Sequence, residues 1–358
     1  MAATLGHYVS VYWGEFVERW RDKRVLITGV CGTVGAELLR QVRKLEVAEI
    51  IGLDNNESEL FFQEEENLDD KRVRLYLGDV RDRNKLIRKT EGIDVILHAA
   101  ALKHVILCEK SPRDAVQTNI LGMQNVIDAA LANKAQYVLF TSSDKAVNPT
   151  NVMGTSKLMG ERLMTAANAT KRAGGPVFAS TRFGNILGSR GSVIPLFKKQ
   201  IEKGGPVTLT DDRMTRFIMT VAQAARLVID SVFMAKGGEV FVTKMPVVRI
   251  KDLAVVMVEQ LAPKCGLNPK EVDIWLMGAK PGEKLYEELM SEEETRRAVE
   301  LDHYFSVTPA FTSVYQEISY DYPGVKKEGN VTRAYNSLTE KPMKIGELTK
   351  YLLDNELI

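Results

Sequence analysis

Cysteine is scarce in this chain, histidine nearly so, and neither sign of charge is in surplus. The three cysteines, Cys31, Cys108 and Cys265, include no CxxC pair. They exclude a disulfide framework and a structural zinc site, and they fit a reducing compartment. The four histidines show no ligand spacing, so no metal centre is expected; His98 and His104 read as core or loop residues. No stretch of about 18 apolar residues occurs, which excludes a transmembrane helix. The N-terminus also lacks the basic region, apolar core and small-residue cleavage site of a signal peptide. Lys plus Arg number 48 and Asp plus Glu 47, for a net charge of +1. No overall field therefore steers nucleic acid or an anionic membrane toward the chain. These absences predict a cytoplasmic protein with no membrane span and no nucleic-acid partner. Any anionic ligand has to be held by a local site.

What is present is the balance of a globular chain: 45% hydrophobic and 27% charged residues. At 358 residues it suffices for one large domain or two unequal ones. Residues 1–22 carry Val9, Tyr12, Trp13, Phe16, Val17 and Trp20 at helical spacing. That aromatic stripe predicts an amphipathic helix, packed either on its own domain or as an arm on another subunit.

From Lys23 onward short β-branched runs alternate with helical patterns. Residues Arg24–Thr28, Glu49–Leu53, Val73–Leu77, Asp94–Ala99, Tyr137–Ser142 and Val177–Phe183 read as strands. They are nearly continuous apolar runs, as strands covered on both faces are. The helices between them imply right-handed crossovers. The expected fold is α/β, a Rossmann-type doubly wound parallel sheet over residues 23–185. Beyond that, Gly, Pro, Ser and Arg break the regularity. Residues 186–358 are expected to form mainly a smaller substrate-binding region, with some segments returning to the sheet. Strands are expected at Glu239–Val242 and Val272–Trp275, and a helix from Ile250.

The first strand runs into Gly29-Val30-Cys31-Gly32-Thr33-Val34-Gly35 and then a helix. Glycines in this strand–helix context let the backbone pass close to a pyrophosphate, whose charge the helix N-terminus meets. Gly29, Gly32, Thr33, Val34 and Gly35 are the expected cradle. Asp54, 19 residues after Gly35, can accept hydrogen bonds from the adenosine ribose and repels a 2′-phosphate. Asn55 and its neighbours supply no cation, so NAD is expected rather than NADP. The bland alternative is a turn-forming Asp-Asn pair. Ala99, Ala100 and Ala101 are small enough to admit the nicotinamide half.

Strand five ends in Ser142-Ser143-Asp144-Lys145-Ala146, and the next helix opens with Met153-Gly154-Thr155-Ser156-Lys157. The glycine spacing is similar to that of short-chain dehydrogenases, most of which carry YxxxK on this helix. Here Lys157 is kept and Met153 stands at the tyrosine position, and methionine is neither acid nor base. The segment Ser142–Lys157 closely resembles the UDP-N-acetylglucosamine 4,6-dehydratases of bacterial polysaccharide biosynthesis. More narrowly, it resembles their branch with methionine here, which retains configuration at carbon 5. The large members of that branch carry a preceding membrane region, without a counterpart in residues 1–22.

Further blocks extend the resemblance over roughly residues 23–340. They are Ala101–Val105, Arg182–Asn185, Gly188–Pro195, Met214–Phe217 and Lys280–Lys284. The resemblance implies UDP-N-acetylglucosamine as substrate, with Lys103, Asn185, Arg190, Gly191, Ser192, Val193, Pro195, Arg216, Lys280 and Glu283 against it. It implies Asp79 and Val80 at the adenine and Lys157 at the nicotinamide ribose. It also implies a homo-oligomer built through the helices near Pro112–Asn133 and Thr155–Lys171.

A 4,6-dehydratase oxidises carbon 4, removes water across carbons 5 and 6, and returns the hydride to carbon 6. Asp144 is the expected acid for the departing hydroxyl and Lys145 the base at carbon 5. An ammonium is a poor base, so this role needs Lys145 lowered by burial or by a cation such as Lys157. Ser143 can orient the carbon-4 hydroxyl, whose proton Asp144 or Lys145 could take. The competing readings are a carbon-5-inverting dehydratase, a UDP-sugar epimerase, and a silent NAD-binding module. A solvated Asp144–Lys145 ion pair without function would fit that module.

Overall fold

The β-branched runs do form strands, and their faces show why the runs are continuous. In the computed structural model, residues 16–189, 191–278, 282–311, 315, 317–325 and 331–358 are described. Strands β1 (Arg24–Thr28), β2 (Glu49–Asp54), β3 (Val73–Leu77), β4 (Val95–His98), β5 (Tyr137–Ser143) and β6 (Val177–Phe183) lie in the order β3-β2-β1-β4-β5-β6. All five pairings are parallel. Val25, Leu26, Ile27, Val95, Ile96 and Leu97 are wholly buried, with helices on both sides. The strand order reverses between β1 and β4. A crevice opens there at the strands' C-terminal ends, where ligands of such sheets bind.

Three later segments extend the sheet past β6. Val240–Thr243 adds in parallel, then Tyr304–Val307 and Ala298–Glu300 pair antiparallel, giving nine strands. Only residues 301–303 separate the last two, a connection that permits nothing but a hairpin. The strand expected at Val272–Trp275 is Ile274–Leu276, which pairs with Val207–Leu209 outside the main sheet. Around it a second core gathers Phe197, Ile201, Met257, Leu348 and Leu352.

Residues 16–20 are helical, and their aromatics pack on their own chain. Trp20 is fully buried and meets Phe233 edge-on at 5.0 Å. The guanidinium of Arg226 lies 4.7 Å over Phe16. For this end of the stripe the self-packed alternative is what the structure contains. Val9, Tyr12 and Trp13 lie outside the described residues.

One buried charge cluster sets the later chain against the sheet. Arg182 on β6, 1% exposed, pairs with Glu161 of the Val152–Thr170 helix at 2.6 Å and with Glu294 at 3.0 Å. It also donates to the Leu289 carbonyl at 2.8 Å. All its donors face inward.

Candidate active site

The glycine loop is packed to the limit of what backbone allows. Gly29 has φ +71°, and a Cβ on it would lie 2.6 Å from Ala100 N. A Cβ on Gly35 would lie 2.0 Å from the Gly29 carbonyl oxygen. Gly32 caps the Thr33–Val42 helix without a side-chain hydrogen bond, so that helix start is left open to an anion. Val34 packs against the main core. Asp54 ends β2 and accepts from Cys31 N at 2.9 Å, which ties the acid to the loop. Asn55 donates to Asp79, whose carboxyl the Arg81 guanidinium holds down to about 2. Val80 is buried behind it. Ala99, Ala100 and Ala101 follow β4 directly and face the loop. The residues expected to hold a dinucleotide thus converge on one crevice, and they fit one.

The C-terminal end of β5 turns into a single 3₁₀ turn, Asp144–Ala146. Ser143 Oγ donates to Asp144 and accepts from Lys145 N. Asp144 is buried, while Lys145 reaches the adjacent pocket with a side chain 30% exposed. Lys145 Nζ lies 3.1 Å from Asp144 and 3.2 Å from Glu287 Oε1, with Asn185 Oδ1 at 3.5 Å. Arg216 Nε sits 3.2 Å from the same Glu287 oxygen. The pocket is lined by Asp144, Lys145, Asn185, Arg216, Glu283 and Glu287, with Val105 and Ile106 on the apolar side.

Charge in this cluster runs opposite to the expectation for Lys145. Burial alone lowers an ammonium, but the Asp144 and Glu287 carboxyls outweigh it and hold Lys145 above its ordinary value. The lowered lysine is the other one. Burial brings Lys157 down to about 8, and its Nζ donates to Thr141 O at 2.9 Å beneath the site. Burial would raise Asp144, yet the Lys145 charge and hydrogen bonds from Glu287 and Ser143 hold it low. Glu287 goes the other way: burial and the Asp144 charge push it up to about 7, against Lys145 and Arg216. The pair is therefore no solvated ion pair at a strand end.

Met153 is buried with Cys108 and Ala115 in a small apolar cluster. Gly191, Ser192, Val193 and Pro195 lie at the start of the Val193–Glu202 helix, where Ser192 Oγ is buried without a hydrogen-bond partner among the described residues. Arg216 directs its donors at the Thr215, Lys284 and Leu285 carbonyls and at Glu287, with Glu283 at 3.9 Å. Lys103 is exposed in the loop after β4. Arg190 and Lys280 lie outside the described residues.

Three contributors escape a reading of the sequence. Glu287 reaches the catalytic turn from 142 residues away. Lys284 Nζ clamps the Val147 and Asn148 carbonyls at 3.0 and 2.7 Å, closing the later segment over that turn. Asn119, in one helical turn widened to π form at Val116–Leu121, bridges the Leu102 backbone and Ser156. Such bulges gather at functional sites, but no local sequence pattern marks this one.

Comparison with known proteins now bears on the site. Residues 25–309 match the family described as polysaccharide biosynthesis protein. An uncharacterized membrane protein of Methanocaldococcus jannaschii is 50% identical over 290 residues, covering 81% of this chain and 87% of that protein. A UDP-glucose 4-epimerase of Rickettsia felis is 35% identical over 344 residues, covering 94% and 97%. Among solved structures, Pen from Bacillus thuringiensis superposes with a TM-score of 0.86 at 39% identity, covering 95% and 99%. Solved dehydratases and epimerases with NAD bound share the fold at 21–22% identity, a level that speaks for the fold alone. The expected cytoplasmic location is corrected by the first relative, which is named a membrane protein. Among the described residues, no helix is long and apolar enough to cross a membrane.

Proposed function

The chain belongs to the polysaccharide biosynthesis protein family, and from that premise we propose that it is an NAD-dependent 4,6-dehydratase of UDP-N-acetylglucosamine that retains configuration at carbon 5. The observation that carries this reading is the pocket-lining cluster of Asp144, Lys145 and Glu287, built where the helix offers Met153 in place of a tyrosine. Removing a hydroxyl needs an acid at carbon 6, and a buried carboxyl at the strand end supplies one. NAD, when bound, takes the carbon-4 hydride and returns it to carbon 6.

The chain's own residues do the rest. The glycine loop and Asp54 hold the dinucleotide, and Lys157 carries positive charge beneath its nicotinamide end. Ser143 orients the carbon-4 hydroxyl. Asp144 protonates the departing carbon-6 oxygen. Lys145 is the base that takes the carbon-5 proton. The open start of the Val193–Glu202 helix, with its unpartnered Ser192 hydroxyl, suits the diphosphate. Exposed apolar side chains at Val116, Leu121 and Met159 support a homo-oligomer through the helices near Pro112–Asn133 and Thr155–Lys171.

A UDP-sugar 4-epimerase is the second reading, favoured by the name of the Rickettsia relative. Epimerisation moves a hydride and a proton at carbon 4 alone and has no use for an acid at carbon 6. Proton NMR of the protein with UDP-N-acetylglucosamine in deuterated buffer separates the two. The dehydratase yields a new carbon-6 methyl signal, with solvent deuterium at carbon 5 and the gluco-derived configuration kept. A carbon-4 epimer without a methyl signal would establish the epimerase instead.

The dinucleotide crevice has its own test. Gly35→Ala drives a methyl group into the Gly29 carbonyl, so the loop has to open. NAD affinity is expected to fall more than tenfold, about 1.4 kcal/mol, by calorimetric titration. Unchanged affinity would place the pyrophosphate elsewhere.

A further inference from the structure

Resting on the dehydratase reading, we propose that Glu287 is a proton relay between Lys145 and Asp144, turning a resting ion pair into a working acid and base. Three observations carry it. Glu287 is buried, yet it lines the pocket. Its Oε2 meets no donor among the described residues. Its carboxyl also shares Lys145 Nζ with Asp144, at 3.2 and 3.1 Å, and two buried carboxyls gathered on one ammonium favour a proton on one of them.

The cluster has to change state before it can work. At rest Asp144 is a carboxylate and Lys145 an ammonium, the wrong way round for an acid and a base. Glu287, entering as a carboxylic acid, passes its proton to Asp144 beside the ammonium they share. It then takes a proton from Lys145 Nζ, 3.2 Å away. Asp144 is now the acid and Lys145 a free amine. The amine lone pair takes the carbon-5 proton, and the C5–H electrons become the C5=C6 bond. The C6–O bond breaks with its electrons on oxygen, which takes the Asp144 proton and leaves as water. Asp144 carboxylate, Lys145 ammonium and neutral Glu287 are restored, so no outside acid or base is consumed.

The groups facing Glu287 set its pH behaviour. Asp144 and Lys145 come from the β5 turn, and Arg216 from the Thr215–Met219 strand; Glu283 lies beyond Arg216, and the Ser337 hydroxyl accepts from the Glu287 backbone N–H. Because the cycle starts from neutral Glu287, kcat/KM is expected to fall as pH rises through about 7.

The test compares Glu287→Gln and Glu287→Asp with wild type. Glutamine keeps hydrogen bonds to Asp144 and Lys145 but cannot pass a proton on. In Glu287→Gln, nicotinamide reduction by UDP-N-acetylglucosamine and methyl formation are read separately, so that a loss confined to elimination stands apart from a loss of binding. The variant's methyl product and carbon-5 deuterium exchange should fall at least about 100-fold. Glu287→Asp should recover part of the rate with the alkaline limb displaced. Wild-type elimination in Glu287→Gln would overturn the relay and leave direct transfer from Lys145 to Asp144. Infrared difference spectra of the resting protein keep the two readings separate. A neutral-carboxyl band that disappears in Glu287→Gln and titrates near 7 supports the shared proton even if wild type dehydrates no UDP-sugar. Absence of that band overturns the proposal even if it does.

Discussion

Asp144→Asn leaves the protein folded with NAD in place and cuts formation of the 6-methyl product by about 10²–10⁴-fold, the usual worth of a positioned acid. The asparagine fits the same space. Its oxygen can accept from Lys145 and Ser143, as the carboxyl does now, and its amide can donate toward Glu287. Packing and hydrogen bonding are therefore kept while the transferable proton is lost. Carbon-4 oxidation does not draw on that proton, so the variant should accumulate reduced nicotinamide when given substrate. Absorbance of the reduced cofactor and NMR of the sugar read the two steps separately. A variant that forms methyl product at the wild-type rate would remove Asp144 from the acid's role.

Arg182→Met is expected to destabilise the protein by about 3–5 kcal/mol, because it strands two buried carboxylates without their cation. Glu161 and Glu294 are 4% and 9% exposed, and both face the guanidinium. Glu294 now sits at about 2, since the Arg182 charge and hydrogen bonds outweigh the rise that burial alone would cause. Urea denaturation should show a lower midpoint at unchanged slope. Adding Glu161→Gln and Glu294→Gln to the same chain should return most of the loss. A midpoint unmoved in the single variant would mean that water reaches the cluster. The variant should also slow elimination, because Arg182 holds the Leu289 carbonyl two residues beyond Glu287.

How much of this was legible beforehand follows the range of each interaction. The six strands, their parallel sheet and the strand–glycine–helix turn were readable because buried strands and such a turn write their patterns locally. Asp54 was readable for the same reason, and it does tie into the loop. The protonation of Lys145 was not. The role of base needed a lysine lowered by burial or by a cation such as Lys157, whereas Asp144 and Glu287 together raise it. Glu287 sits in an acidic pair, Glu287-Glu288, that has no distinguishing pattern. Only the fold brings one member to the catalytic turn and leaves Glu288 beside Lys284 and Asn148. The buried cluster around Arg182 was not legible either, because its partners Glu161 and Glu294 lie 21 and 112 residues away and only the fold gathers them.

The order in which the chain is made gives the late segment one more consequence. A ribosome delivers residues 23–183 first, and that stretch alone contains the six parallel strands and the crevice between them. Domains generally form as they emerge, the N-terminal part leading. Glu287 and the hairpin that finishes the sheet come more than a hundred residues later. The Asp144–Lys145 turn is thus made long before Glu287, and a chain terminated short of residue 287 would lack the relay proposed for it.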